Sequence, residues 1–349
     1  MQNLNSKITT YHYLLKNLTS NNLQLQSLID QVGKKVLPYS FQSLLNEDQL
    51  KDKLISQINH FEKFQETLVK YSSENKIPIQ SIFDSYWNYV LPFYNHLINI
   101  KQRRGLSSVI SGVLGVQGAG KTTFSNLIQR IGEQDGKNVM VFSIDDFYLS
   151  YEDRLKLQEK DPRLLYRGPP GTHDINSLYQ VFSQINEQKL PINIPIFDKS
   201  LHNGQGDING YKNYPQLPDI VIFEGWFIGL RECQLKYLNP INNQNDLEFA
   251  RDCQEKLKEY YKLWDSLHSL LIITPEDYSF SRQWRKDAEH KMIAKTGKGM
   301  TDEQLDQFVD YFWKSLHPQI YIENQLQKNN YNLVVQLSID HEIVNIIEK

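Results

Sequence analysis

The stretch "GVLGVQGAGKTTFSNLI", residues 112–128, constrains the chain more than any other. An apolar run breaks into glycines, reaches Lys121 and then turns amphipathic, with Phe124, Leu127, Ile128 and Ile131 on one helical face. Gly115, Gly120, Lys121 and Thr122 fill every fixed position of the pattern G-x-x-x-x-G-K-[ST]. Glycines let backbone N–H groups turn inward as an anion cradle, and the start of the following helix adds the positive end of its dipole. Gly115, Gln117, Gly118, Ala119, Gly120, Lys121, Thr122 and Thr123 are therefore the expected phosphate-binding set. Lys121 is expected to reach the β- and γ-phosphates of a nucleotide, and the Thr122 hydroxyl to ligate Mg²⁺.

The rest of the chain sorts around this loop. Short β-rich runs at 108–115, 138–145, 192–198, 219–225, 269–274 and 332–338 alternate with helical patterns at 121–133, 174–187, 245–265, 277–297 and 301–327. Continuous apolar strands joined by crossover helices imply a parallel sheet covered on both faces. The expected fold is α/β: a doubly wound parallel sheet of the P-loop NTPase type, with an N-terminal helical extension. In such a sheet ligands collect at the carboxyl ends of the strands. Residues 1–104 read as the helical region and 105–349 as the nucleotide-binding domain. From Leu37 to Ile100 apolar residues such as Leu50, Leu54, Ile58, Phe61 and Leu68 recur at helical steps. Pro92 should kink or end a helix, and "KQRRG" at 101–105 reads as a linker.

A phosphate loop leaves the reaction open. "LLIITPED" at 270–277 offers no N-K-x-D segment for guanine, and a transport or motor ATPase would need further signature segments, so a small-molecule kinase stands in front. The second strand ends in "FSIDDFYLS", which puts a carboxylate near the γ-phosphate, where it can take an acceptor's hydroxyl proton. Asp145 is the first choice for this role and Asp146 the second, with capping of the following turn as the ordinary alternative. "DIVIFEGW" at 219–226 ends its apolar run in Glu224, suited to hold Mg²⁺ directly or through water.

The ordered set "GVQGAGKTT", "SIDDFYLS", "RGPPGTHD", "IFDKSLHNGQGD", "IFEGWFIGL" and "RQWRKDAE" resembles D-glycerate 3-kinase of the plant and cyanobacterial type. That family belongs with the uridine kinase, phosphoribulokinase and bacterial pantothenate kinase group. The resemblance runs from about Ile79 to the C-terminus, and it implies an ATP- and Mg²⁺-dependent kinase that converts D-glycerate to 3-phosphoglycerate in photorespiratory salvage. The acceptor's carboxylate and hydroxyls call for cations and donors opposite an acid. Arg167 could grip the carboxylate in a fork, and Lys199 could hold it or the transferring phosphoryl group, with His173 beside them and His202 as a weaker candidate. Each has a structural alternative: Arg167 pairing with Asp161 or Asp174, His173 packed or capping, Lys199 a solvated turn lysine. Residues 278–300 correspond to a lid whose arginines close on the phosphates, with Arg285 the first choice and Arg282 the second. Trp284 reads as core. The catalytic set is thus Asp145, Lys121 and Arg285.

Composition narrows the partners. The net charge is −3, which argues against a nucleic-acid or anionic-membrane surface, and no eighteen apolar residues run together. Two cysteines, Cys233 and Cys253, make neither a disulfide framework nor a zinc spacing, and the start of the sequence lacks a signal-peptide pattern. A cytoplasmic protein with a small-molecule substrate is the expectation, with the N-terminal helices available for a protein partner or self-association. The alternatives are a kinase for another small alcohol, or a non-catalytic ATP-binding regulatory protein. Retention of Lys121, Asp145 and Glu224 together argues against the latter.

Overall fold

The computed structural model describes residues 47–297 and 299–349. The helical reading of 37–46, the rest of the N-terminal region before them, and Lys298 in the lid segment lie outside the described residues, as do the side chains of Leu50, Leu54 and Ile58. Two compact units are present: Glu47–His96 with Arg130–Asp135, and Leu97–Gln129 with the described residues from Gly136 on.

The first unit is helical. Helix α1 (Glu47–Asn75) and α2 (Ile79–Ser85) precede a π-helical turn over Tyr86–Val90, and α3 (Leu91–Arg104) follows, its residues from Leu97 on belonging to the second unit. The widened turn stands immediately before Pro92, whose ring cannot fit a regular helix interior; Leu91 N–H reaches back to Tyr86 O. Phe61 and Leu68, two members of the sequence stripe, are buried, and Phe61 packs at 5.1 Å from Phe83 and 5.3 Å from Trp87. "KQRR" is not a linker. It forms the last turn of α3, and Gly105, with φ of +61°, ends the helix in the left-handed conformation.

In the second unit, strand β1 (Val109–Gly115) leads through the glycine loop into α4 (Lys121–Gln134), then β2 (Val139–Ser143). Helices α5 (Tyr151–Lys160) and α6 (Ile175–Asn186) precede β3 (Ile192–Asp198), β4 (Asp207–Tyr214) and β5 (Ile220–Gly225). After α7 (Gln244–Leu257) and α8 (Tyr261–Asp265) come β6 (Ser269–Pro275), α9 (Phe280–Thr296), α10 (Asp302–Ser315), α11 (Pro318–Gln327), β7 (Leu333–Leu337) and β8 (Ile343–Glu348).

The main sheet has the order β2-β5-β1-β6-β7-β8, with the first five strands parallel and β8 antiparallel to β7. Every residue of β1, β5 and β6 is buried, as expected of strands covered on both faces. One core joins Met140, Phe142, Val221 and Phe223 of the sheet to Leu178 and Phe182 of α6, Trp264 of α8 and Tyr321 of α11. The crossover pattern places the carboxyl ends of β1, β2 and β5 side by side, which is where the glycine loop begins.

Three expectations are corrected. "INIPIFD" does not join the parallel sheet but pairs antiparallel with β4 in a separate two-stranded sheet, because Pro195 and the exposed Asn193 and Ile196 suit a half-exposed ribbon. The strand expected at 138–145 stops at Ser143, and Asp145 and Asp146 sit on a 3₁₀ turn over Ile144–Phe147. The helix expected over 301–327 is two helices, divided before Pro318, which occupies the first turn of α11.

Candidate active site

The glycine loop is shaped by two glycines. Gly120 has φ of +87° and open space where a side chain would stand; Gly118 has φ of +79° and lies against Trp284, whose Cβ would be 2.5 Å from any added Cβ. Phe124 N–H bonds to Gly120 O, so α4 starts at Lys121 and points the N–H groups of its first turn toward the loop. Ala119 is buried and Thr123 belongs to that first turn. Lys121 Nζ donates to Gly115 O at 2.9 Å and Val116 O at 3.1 Å. Burial pulls its pKa below the ordinary value, opposed by the charges of Glu224 and Asp145.

Register sets the acids opposite the loop. Val113 of β1 and Ser143 of β2 both pair with Glu224 of β5, so Glu224 emerges between the loop and the Asp145 turn. Glu224 is 8% exposed and accepts from Thr122 Oγ1 at 3.2 Å. Burial raises its pKa while Lys121 lowers it, and the net shift is upward.

Asp145 is held from two sides. Tyr148 Oη donates to its Oδ1 at 2.8 Å and Lys199 Nζ to its Oδ2 at 2.7 Å. Burial acts to raise its pKa, but the Lys199 charge and these hydrogen bonds bring it down to about 2. Asp146 does the capping instead: its Oδ2 accepts from Ser143 N–H at 2.8 Å, closing a capping box with the Ser143 hydroxyl. Burial pushes the Asp146 carboxyl up to about 6.

Arg167 is half-buried. Its Nη1 donates to Gly204 O and Gln205 O, both at 2.8 Å, rather than to Asp161 or Asp174. Asp174 caps α6 through Ser177 N–H, and Asp161 pairs with Arg163. His173 does not join the group. It is 4% exposed, stacks on the Tyr148 ring at 4.6 Å and shares a 2.9 Å hydrogen bond between Nδ1 and Tyr260 Oη. Burial lowers its pKa to about 3, so it is a neutral packed residue behind Tyr148. His202 is exposed, stacked on Tyr151 and 3.1 Å from Asp207.

Gln117, Gly118, Lys121, Thr122, Asp145, Arg167, Lys199, Glu224 and Arg285 line one cleft of about 380 Å³. A model of the Phosphoribulokinase / Uridine kinase family matches residues 109–265. Over 245 residues the chain is 36% identical to the probable ATP-dependent kinase TDA10 of Saccharomyces cerevisiae, covering 64% of this chain and 81% of that one. The chain belongs to the phosphoribulokinase/uridine kinase family. Within it, the chain is 26% identical over 260 residues to the chloroplastic D-glycerate 3-kinase of Arabidopsis thaliana, covering 71% of this chain and 56% of that relative. A solved structure of D-glycerate 3-kinase from Cryptococcus neoformans var. grubii matches with a TM-score of 0.62 and 27% identity, over 74% of this chain and 99% of that one. The resemblance to D-glycerate 3-kinases carried by the sequence motifs therefore holds in sequence and in structure.

In this P-loop kinase Arg285 and Arg282 have separate places on α9. Arg285 reaches the cleft and pairs at 2.6 Å with Glu289, whose other oxygen accepts from Met300 N–H. Arg282 is turned to α10, where it pairs with Asp306 and Asp310. Trp284 is buried, donates to Ile339 O at 2.6 Å and stacks on His341, which itself reaches Gly118 O at 2.9 Å. Glu289 and Tyr148 were not singled out by sequence, although the four-residue step from Arg285 to Glu289 is the signal for one.

The donors present fit a nucleotide and a hard cation. The loop supplies N–H groups, Lys121 an ammonium, Thr122 a hydroxyl and Glu224 a buried carboxylate short of cationic hydrogen-bond partners. Among the described residues no cluster of three or more His, Cys, Asp or Glu could enclose a metal alone. Mg²⁺ suits that arrangement, since it binds through one or two protein ligands with phosphates and waters completing its shell.

Proposed function

We propose that the chain transfers the γ-phosphoryl group of ATP to the 3-hydroxyl of D-glycerate, giving ADP and 3-phosphoglycerate. The observation that carries the reading is that Asp145, Lys199 and Arg167 line the same cleft as Lys121, Thr122 and Glu224. A phosphate donor and an acidic acceptor can then meet there, and two relatives named as D-glycerate 3-kinases support the choice of acceptor.

Each residue has a task. The loop N–H groups and Lys121 bind the donor's phosphates, and Thr122 and Glu224 would hold Mg²⁺, which would supply positive charge to neutralise the donor. Asp145 accepts a hydrogen bond from the acceptor hydroxyl; with Tyr148 on one oxygen and Lys199 on the other, each oxygen keeps a lone pair for it. The new bond joins that oxygen to phosphorus, the bond from phosphorus to the β,γ-bridging oxygen breaks, and the hydroxyl proton passes to Asp145. Because the transition state for phosphoryl transfer is loose, orientation matters more than base strength, which suits a carboxyl held near pKa 2. Arg167 holds the carboxylate, and Arg285 faces the charge on the transferring group.

An ADP-release assay over D-glycerate, uridine, ribulose 5-phosphate and pantothenate tests the reading. Turnover with D-glycerate well above the ATPase background is expected; its absence refutes the acceptor. ³¹P NMR of the product should show 3-phosphoglycerate, and 2-phosphoglycerate would contradict the position of transfer.

A further inference from the structure

Arg154, on α5, and Arg167 converge on one carbonyl. Arg154 Nη2 and Arg167 Nη1 both donate to Gln205 O, at 2.7 and 2.8 Å, and both guanidiniums lie against Phe197, 5.2 and 5.4 Å from its ring centroid. Arg154 also donates to Leu149 O and Gly206 O, and Arg167 to Gly204 O. Every one of these acceptors is a neutral backbone carbonyl. Five other arginines pair with acids, Arg130 with Glu74, Arg163 with Asp161, Arg231 with Asp265, Arg282 with Asp306 and Arg285 with Glu289, whereas neither Arg154 nor Arg167 has an ion-paired carboxylate among the described residues.

Two half-buried guanidiniums so close together, whose hydrogen bonds go only to backbone carbonyls and whose nearest acids, Asp207 and Asp145, act on them without a hydrogen bond, mark a place where an anion belongs. A guanidinium has five N–H donors. Arg167 commits Nη1 to the loop and keeps Nε–H and its Nη2 hydrogens, the edge that meets two oxygens of an acid at once. Arg154 keeps its Nε–H. Both line a second cavity of about 130 Å³, and Arg167 borders this cavity and the main cleft alike. Burial lowers the pKa of Arg154, and the charge of Arg167 lowers it further, more than the charge of Asp207 restores.

We infer that Arg154 and Arg167 together form the subsite for the acid group of the acceptor, a carboxylate or phosphate oxyanion held at Arg167, which borders both cavities. The inference rests on the reading that the acceptor binds at Asp145, and it makes Arg154 a determinant of selectivity for acidic acceptors over neutral polyols. Removing one charged partner of an anion costs roughly 10- to 100-fold in affinity.

The test compares kcat/KM of the full chain for D-glycerate, glycerol 3-phosphate and glycerol, which share a terminal hydroxyl and differ in carrying a carboxylate, a phosphate or neither. The acids that bind at the pair should be preferred over glycerol, and Arg154→Met should reduce that preference by about 10- to 100-fold, chiefly through KM of the acid. The acid whose preference is lost identifies the group the subsite takes. Parallel loss with acids and glycerol overturns the inference, because Arg154 would then only clamp the loop at Gly204–Gly206. Should Arg154→Met not fold, Arg154→Lys, a point charge without the fork, should lose about tenfold of the preference, and an unchanged preference overturns the inference. If the wild-type chain turns over none of the three, the glycerate reading has failed separately. The subsite is then read by thermal shift, with a non-hydrolysable ATP analogue filling the phosphate loop. Stabilisation by D-glycerate or glycerol 3-phosphate in the wild type and not in Arg154→Met upholds it, and no stabilisation by either overturns it.

Discussion

Asp145→Asn separates chemistry from nucleotide binding. The amide keeps the size of the carboxyl and can still accept from Tyr148, but it has no charge for Lys199 and no capacity to take a proton. Lys199 is 57% exposed, so it turns to water when the partner is lost. The folded carboxyl sits at about 2 against an ordinary 3.8. Screening of the exposed lysine leaves about 1–2 kcal/mol of stability from that depression. The sign follows: this contribution is present above pH 4 or so, where the unfolded carboxyl is ionised, and is lost as the pH falls toward about 2. The stability gap between wild type and variant should therefore close on acidification across that window, in urea titrations at stepped pH. Loss of a positioned acid–base group lowers kcat by about 10²–10⁴, or about 3–5 kcal/mol, whereas KM for ATP should stay within about threefold because Lys121 and the loop are untouched. Equal loss in kcat and in ATP affinity would refute the assignment and make Asp145 a residue of the nucleotide site or the fold.

Other perturbations read the surrounding structure. Glu289→Gln leaves Arg285 without its ionised partner at a site where Glu289 is 2% exposed, and is expected to lower stability by about 1–3 kcal/mol and reduce turnover; an unchanged melting temperature would mean the pair is idle. Gly118→Ala forces a side chain onto a backbone at φ of +79° and into the Cβ of Trp284, so a loss above about 2 kcal/mol with weakened ATP binding should appear in calorimetry. A shift within a degree would show that the loop relaxes freely. Phe223→Ala removes a fully buried ring 4.9 Å from Phe142 and 5.3 Å from Phe182; a loss of about 3–5 kcal/mol is expected in the urea midpoint, and less than 1 kcal/mol would mean that this core is not closely packed there.

What the sequence made legible was whatever combined a steric need with a fixed spacing. Gly120, Lys121 and Thr122 could be read because an anion cradle demands them at those steps, and β1, β5 and β6 because strands buried on both faces are apolar throughout. β3 was misplaced for the same reason: "INIPIFD" looks apolar, yet its partner β4, "DINGYKNY", has no buried face to announce a ribbon. Helix α5 buries none of its residues, so no stripe betrayed it, and Arg154 went unseen with it. His173 was read as a rim residue because its motif borders the site, but the motif's contribution there is Arg167, while His173 turns inward behind Tyr148. Asp145 and Asp146 are adjacent and chemically alike. Only the 3₁₀ turn distinguishes them, giving one to the cap and the other to Lys199 and Tyr148.

Trp284 has a mechanical consequence. With its ring stacked on His341, its indole N–H on Ile339 O and its Cβ against Gly118, it pins the start of α9, so a tilt of that helix would turn about it. A helix rising about 1.5 Å per residue puts Thr296 about 18 Å from that point, so a rotation of about 10° sweeps the far end through about 3 Å. Arg285 sits one residue from the pivot and scarcely travels. Such a tilt would displace the far end of the helix and leave Arg285 lining the cleft.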